Sequence, residues 1–195
     1  MTFFRKVLLL LAIAGLGIGC VYFYKTQQPV VDIAAPPTQG GFTLRSSAGP
    51  VSLADFRGKV VLLYFGYTFC PDICPTNLAA ITQALTLLTP EEVARVRVVF
   101  VSVDPERDTP TRLAEYVAFF HPAMVGVTGT PEEVADVAKR YGAVYARQPS
   151  PPGESWYAVD HSASTYLIAP DGRQAATLPH DPPPSEIVKQ IRRAL

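Results

Sequence analysis

The 195-residue sequence lacks an excess of charge of either sign, because 17 Lys and Arg residues balance 17 Asp and Glu residues. A protein whose main partner is nucleic acid needs a basic excess to neutralise phosphates, so this class of function is excluded. Cysteine is also scarce, and three residues cannot build a scaffold of several disulfides. Apolar residues make up 48% of the chain, which excludes global disorder, and the length suits one domain of ordinary size.

The chain begins with an apolar segment that is preceded by basic residues. The run Val7–Tyr24 is 18 residues long, which is at the lower edge of what spans a bilayer as a helix. Arg5 and Lys6 precede this run and favour an N-terminus on the inner side of the membrane. We therefore predict a membrane anchor over residues 1–25, with the rest of the chain on the outer (periplasmic or equivalent) side.

Two other interpretations of this segment remain open. It could be a cleaved signal peptide, although no typical cleavage site follows it. Alternatively, Cys20 could carry a lipid, although Gly17 stands where such signals usually have Leu. All three interpretations place the following domain outside the cytoplasm. Cys70 and Cys74 then lie where disulfides can form unless a reductant keeps the thiols reduced.

The remainder of the sequence predicts an extended tether followed by one α/β domain. Residues 26–41 lack periodicity and contain three prolines, which is typical of a flexible linker. Residues 42–195 alternate strand and helix patterns, which predicts a mixed central sheet flanked by helices. The predicted strands cover residues 42–45, 49–53, 59–66, 96–103, 124–128, 164–169 and 174–178, and the predicted helices begin at Pro75, near Thr109, near Thr130 and at Pro184.

The predicted strand over 59–66 runs directly into a Cys-x-x-x-Cys-Pro sequence at the start of a helix, an arrangement typical of thioredoxin-like folds. A helix N-terminus stabilises thiolates, because its free N–H groups and macrodipole favour negative charge. We therefore expect Cys70 and Cys74 to be functional rather than structural. They either form a redox-active disulfide or bind a soft metal ion, and their spacing alone does not decide between these uses.

Among the three histidines, His161 is the candidate third ligand. It precedes the strand predicted over 164–169, and in a thioredoxin-like fold that loop lies beside the cysteine loop. Two thiolates and an imidazole suit Cu(I), whereas zinc would accept the same ligands but usually takes a fourth. A hydrogen-bonded loop histidine is the alternative interpretation. His121 closes a helix and His180 lies in a proline-rich loop, so we expect the first to be structural and the second to be solvated.

Three motifs in this order resemble the Sco/SenC family: FGYTFCPDICP over residues 65–75, VSVDPERDTP over 101–110 and VDHS over 159–162. The resemblance implies a thioredoxin-like fold that holds copper through Cys70, Cys74 and His161. The expected ion is Cu(I), and binding of Cu(II) as well stays open. It also implies a role in assembling the binuclear copper centre of cytochrome c oxidase. The implied partners are the copper-accepting subunit of that oxidase, an upstream copper donor and a thiol reductant.

Three acidic residues in or beside these motifs are candidates for tuning the site. Asp72 lies between the cysteines, where its charge would raise the pKa values of the thiols. Asp104 follows the second buried strand and could turn its carboxylate towards the site or serve in loop and cap hydrogen bonds. Asp160 precedes His161 and could orient its ring through a hydrogen bond.

Other functions stay open at this point. Members of the family have also been assigned thiol–disulfide reductase activity, so the chain could instead keep the acceptor cysteines of the oxidase subunit reduced. A peroxiredoxin-like peroxidase would need Thr or Ser three residues before Cys70, where Tyr67 stands. A membrane-tethered copper binder could also act as a copper-responsive sensor. Delivery of copper is the function that we predict, with the reductase as the main alternative.

Overall fold

The structure is a computed structural model that describes residues 41–150, 152–153 and 156–195. The predicted anchor over 1–25 and the predicted linker, except for its last residue, lie outside the described residues. No helix within the described part of the chain has the length and apolar character needed to cross a membrane. The described strands are β1 (Thr43–Ser46), β2 (Gly49–Ser52), β3 (Val60–Gly66), β4 (Val96–Ser102), β5 (Met124–Val127), β6 (Tyr145–Arg147), β7 (Val159–His161), β8 (Thr165–Ile168) and β9 (Gln174–Leu178). The described helices are α1 (Ile73–Thr86), α2 (Pro90–Ala94), α3 (Pro110–Ala118), α4 (Pro131–Tyr141) and α5 (Pro184–Ala194).

A five-stranded mixed sheet forms the centre of the domain, with strand order β5-β4-β3-β8-β9. β3 and β5 both pair in parallel with β4, whereas β8 pairs antiparallel with β3 and β9. The parallel neighbours are joined by helical crossovers, as parallel pairing requires. All seven residues of β3 are buried, as expected for a continuous apolar run covered on both faces. The predicted mixed sheet is therefore confirmed.

Side chains at the helix starts define where the helices begin. Thr109 and Thr130 each accept a hydrogen bond from a backbone N–H in the first turn of α3 and α4, and a proline follows each of them. Helix α1 begins at Ile73, two residues earlier than predicted. Pro75 is tolerated inside the first turn, because the N–H groups there have no intrahelical partner. Cys74 therefore belongs to the helix and not to the loop before it.

A short antiparallel hairpin of β6 and β7 is absent from the sequence prediction. Its register pairs Tyr145 with His161 and Arg147 with Val159. Strands of three residues are too short to show the alternation of apolar and polar residues that indicates a strand. The expectation that His161 lies in a loop is therefore wrong: the residue ends β7, and the next backbone N–H, that of Ser162, donates to the carbonyl of Val144 at 2.8 Å.

Candidate metal centre

Three separate elements bring sulfur and nitrogen ligands together at one end of the domain. Cys70 ends the turn after β3, Cys74 lies in the first turn of α1, and His161 ends β7. One ligand atom from each residue lies within 4.8 Å of the other two. The Sγ atom of Cys74 is 3.3 Å from Nε2 of His161. The structure therefore places together the three ligands that the sequence predicted.

The orientation of the His161 ring leaves one nitrogen available for a metal. Nδ1 lies 3.2 Å from the backbone carbonyl of Ser162. A carbonyl oxygen can only accept a hydrogen bond, so we assign the proton to Nδ1. Nε2, which faces the sulfur of Cys74, is then the nitrogen that can present a lone pair to a cation.

Two tyrosines confine the imidazole in this position. The rings of Tyr64 and Tyr67 both lie edge-on to the His161 ring, with centroid separations of 6.1 Å and 5.8 Å. The Tyr64 hydroxyl also donates to Cys74 Sγ at 3.9 Å, a long contact even for sulfur. The Tyr67 hydroxyl accepts a hydrogen bond from the backbone N–H of Val159 at 3.3 Å, which joins the cysteine loop to β7. Sequence reasoning assigned neither tyrosine to the site.

Gly66, the last residue of β3, allows the Cys74 sulfur to approach the sheet. A Cβ atom built at this position would lie 2.6 Å from Cys74 Sγ and 2.9 Å from Cε2 of Phe100. Real Cβ atoms essentially never come so close to a neighbour. A glycine inside an apolar strand pattern is a known sign of such a close approach, so this residue could have been identified from the sequence.

The two thiols have opposite electrostatic environments. The pKa of Cys70 is lowered to about 4, first by the hydrogen bond from the Cys74 side chain and further by His161 and the backbone N–H groups of Cys74 and Asp72. The Cys74 N–H lies 3.4 Å from Cys70 Sγ. The pKa of Cys74 is raised, because its proton stabilises the Cys70 thiolate and because its sulfur is buried. The reduced pair therefore holds one thiolate, on Cys70, and one shared proton.

This difference predicts the pH dependence of alkylation by iodoacetamide. Above a pKa of about 4 the Cys70 thiolate is already formed, so its alkylation rate should stay nearly flat from about pH 5 to about pH 8 and fall as the pH drops towards 4. Cys74 should stay unmodified over the same range. Fragment mass spectrometry of the modified peptide measures both rates, and the unfolded chain is the control. A Cys70 rate that rises tenfold per pH unit up to about pH 8, as for an ordinary thiol, would contradict the assignment.

The site is enclosed on one side and open on the other. Cys74 is fully buried, Cys70 is 7% exposed and His161 is partly exposed. A shallow pocket of about 320 Å³ reaches Cys70 and His161, and Asp72 and Asp160 line it as well. A group from outside can therefore approach the Cys70 and His161 side of the centre, whereas the Cys74 side is closed by the core.

The three predicted acidic residues have different positions. Asp72 and Asp160 are exposed at the rim of the pocket. Asp72 accepts a hydrogen bond from the Thr76 hydroxyl at 3.3 Å, so its carboxylate has a partner in α1. Asp160 accepts a hydrogen bond from the Gln148 side chain. The His161 ring makes its orienting contact not with Asp160, as expected, but with the carbonyl of Ser162, which lies 3.2 Å from Nδ1.

Asp104 is buried, and the hydrogen bonds of its carboxylate go to residues outside the ligand cluster. Its carboxylate pairs with the Arg107 guanidinium and accepts a hydrogen bond from the Tyr157 hydroxyl at 2.8 Å. These contacts agree with the alternative that Asp104 serves in hydrogen bonds of the loop. Buried carboxylates need such partners, because an unpaired buried charge is very costly. Asp104 connects the loop after β4 to the segment that leads into β7.

The donor set fits a soft monovalent metal ion. Two sulfurs and one imidazole nitrogen are the ligands that Cu(I) prefers, and hard cations such as Mg²⁺ and Ca²⁺ take oxygen ligands instead. Within the part of the chain that the structure describes, the ligand cluster has these three members and no carboxylate. The cluster is therefore suited to copper.

Comparison with known proteins leads to the same metal. The SCO1/SenC family model matches residues 31–195. A mouse (Mus musculus) relative, the protein SCO2 homolog, mitochondrial, is 38% identical over 200 residues, which covers 97% of this chain and 78% of the relative. The solved structure of Bradyrhizobium japonicum ScoI with copper bound is 35% identical and has a TM-score of 0.73, with 80% of this chain and 99% of that chain covered.

A further solved relative is BsSco, a member of the Sco family of cytochrome c oxidase assembly proteins in which a disulfide switch was identified. It is 28% identical with a TM-score of 0.61, and the match covers 81% of this chain and 95% of that chain. The mixed sheet and flanking helices match the thioredoxin-like fold of these Sco structures, so the predicted fold class is confirmed for the described domain. Because the family model matches most of the chain, this protein belongs to the SCO1/SenC family.

Proposed function

We propose that this protein binds copper through Cys70, Cys74 and His161 and delivers it to the copper-accepting subunit of cytochrome c oxidase. The observation that supports this proposal most is the convergence of the three ligand atoms within 4.8 Å. An ion held by three ligands keeps a coordination position free for a ligand from a partner. Copper is thus the cargo of the protein, and the residues around the site serve to hold it and then release it.

Burial of the ligands suggests the direction in which copper leaves. Cys74 is enclosed by the core, whereas Cys70 and His161 face the pocket. A ligand of the acceptor would approach the ion from the pocket side and replace Cys70 or His161 first. Cys74 would be the last ligand to dissociate from the ion. Exchange to an acceptor with more or better-placed ligands is downhill, so the transfer needs no separate energy source.

The same two thiols would make delivery dependent on redox state. Oxidation of the Cys70 thiolate and the Cys74 thiol forms one S–S bond, passes two electrons to an oxidant and releases the one proton that the pair holds, and it removes both sulfur ligands. Both cysteines are free thiols in the structure. Outside the cytoplasm a thiol reductant would have to return two electrons, with one proton taken up by the pair, before copper can bind again. The disulfide switch reported for BsSco agrees with this dependence of copper binding on redox state.

A second candidate function is reduction of the acceptor's own disulfide, and the thiol environments favour it. Cys70 is the more exposed sulfur and has the lowered pKa, which suits an attacking thiolate. Cys74 is buried beside it, where it can resolve the mixed disulfide. Under this function copper would be bound only incidentally, and His161 would be dispensable.

Metal transfer separates the two functions. The reduced protein is first titrated with Cu(I) and then mixed with the reduced, copper-free acceptor subunit. We expect stoichiometric movement of copper to the subunit, detected by metal analysis after the two proteins are separated. The Cys70→Ser/Cys74→Ser double variant is the control and should carry no copper into the mixture. Absence of copper movement to the reduced subunit, together with thiol exchange in a separate reaction with the oxidised subunit, would contradict delivery and support the reductase.

The membrane anchor is part of this proposal. The apolar run before Lys25 would hold the domain on the outer side of the membrane, where the acceptor subunit and an upstream copper donor could reach it. The linker over 26–41 would give the tethered domain the reach to meet both partners in turn.

A further inference from the structure

A fully buried carboxylate lies beneath the cysteine loop and takes no part in the metal centre described above. Asp108 comes directly before the N-cap residue of α3, and its side chain is inaccessible to solvent. Oδ2 accepts hydrogen bonds from the Thr68 backbone N–H at 2.9 Å and from the Ser102 hydroxyl at 2.6 Å. Oδ1 accepts from the Thr68 hydroxyl at 2.5 Å.

These bonds act on the turn that presents Cys70. The Cys70 N–H donates to the Tyr67 carbonyl at 3.2 Å, so residues 67–70 form a tight turn with Thr68 at its first central position. Asp108 accepts from both the backbone and the side chain of that residue. Arg112 completes the arrangement from outside, because its Nε donates to the Thr68 hydroxyl at 3.1 Å.

Formation of helix α3 does not account for this buried charge. Thr109 is the N-cap residue and accepts the hydrogen bond from the Arg112 N–H in the first turn. The Asp108 carboxylate is directed instead across the end of β4, to a residue 40 positions earlier in the chain. A buried carboxylate is costly unless it is hydrogen-bonded, and every hydrogen bond of this side chain named above goes to the cysteine loop or to Ser102 at the end of β4.

We propose that Asp108 is a positioning residue that holds the turn over 67–70, so that the Cys70 sulfur stays directed at Cys74 and His161. Without the carboxylate, the N–H and hydroxyl of Thr68 lose their shared acceptor and the turn can move as a unit with Cys70. The consequence for copper rests on the proposed copper-binding function. The consequence for closing the disulfide between Cys70 and Cys74 does not.

The test compares Asp108→Ala and Asp108→Asn in the reduced full-length protein. Asp108→Ala should raise the dissociation constant for Cu(I) about tenfold, as replacing a residue that orients a metal ligand typically does. It should also lower about tenfold the equilibrium constant for disulfide formation against glutathione, because a loose turn reduces the effective concentration of one thiol at the other. Asp108→Asn retains an oxygen that can accept from the Thr68 N–H and from Ser102, so both constants should stay within about threefold of the original.

A matched control separates positioning from general destabilisation. Ile187 is fully buried in α5, and Ile187→Ala should lower the unfolding midpoint without changing either constant. Thr68→Val supplies a milder variant should Asp108→Ala not fold. It removes the two hydrogen bonds of the Thr68 hydroxyl, to Asp108 and from Arg112, keeps the backbone bond to Asp108, and should weaken Cu(I) binding about threefold.

Several results would overturn the positioning role. One is a folded Asp108→Ala protein in which both constants are unchanged. Others are an equal loss in Ile187→Ala, an Asp108→Asn protein as impaired as Asp108→Ala, and Thr68→Val without effect. If the unaltered protein failed to bind Cu(I) at all, the proposed function would fail, and the disulfide constant would still decide the role of Asp108.

Discussion

Replacing His161 with alanine is expected to weaken Cu(I) binding by about a hundredfold or more, which corresponds to about 2.8 kcal/mol or more of binding free energy. The substitution removes the one nitrogen ligand of the cluster and leaves two sulfurs, of which Cys74 is enclosed in the core. Cys70→Ser and Cys74→Ser should each cost at least as much, because a thiolate is a softer ligand than the hydroxyl that replaces it. Competition with a chromophoric Cu(I) chelator measures all three constants.

The control for this experiment is His180→Ala, since that side chain is exposed and lies outside the cluster. It should bind copper as the unaltered protein does. An unchanged copper affinity and stoichiometry in His161→Ala would remove that residue from the ligand set. The same variants also separate the two candidate functions: a dithiol reductase would tolerate His161→Ala in its exchange reaction and would lose activity with either cysteine replaced.

Gly66→Ala should damage both the fold and the metal centre. The added methyl group would lie 2.6 Å from Cys74 Sγ and 2.9 Å from the Phe100 ring, so at least one of these buried groups must move. Overpacking of this kind typically costs about 1–3 kcal/mol of unfolding free energy. Displacement of the sulfur also disturbs its 3.3 Å contact with His161 Nε2, so Cu(I) affinity should fall by about tenfold or more. Denaturant unfolding and chelator competition measure the two effects.

Gly126→Ala is the matched control for this substitution. A Cβ atom at Gly126 would lie 2.7 Å from Cβ of Leu113, which is a comparable overlap in the same sheet but with no cysteine involved. It should lower the unfolding free energy by a similar amount and leave copper affinity unchanged. If Gly66→Ala lost only stability, or if both variants lost copper affinity alike, the close approach of Gly66 would have no special role at the centre.

The three candidate ligands differ in how the sequence reveals them. Cys70 and Cys74 are local: a strand, a turn and a helix start follow one another in the chain, and their patterns place the thiols at a helix N-terminus. His161 is distant in sequence, and the motif around it supplied the prediction. Its position at the end of β7 was not predictable from pattern, because pairing with Tyr145 makes the strand and the strand is too short to show a period.

The sequence by itself thus indicated the helix that follows the thiols and the mixed character of the sheet, and its three motifs, through their resemblance to the Sco/SenC family, indicated the candidate copper ligands. Only the tertiary structure decided how these atoms are oriented, because packing between distant segments sets each direction. The Ser162 carbonyl, and not Asp160, meets the His161 ring, and Asp104 pairs with Arg107. Asp108 accepts a hydrogen bond from Thr68, 40 residues earlier in the chain, for the same reason. A buried carboxylate needs hydrogen-bond donors, and the fold, not the spacing of residues along the chain, decides which donors lie beside it.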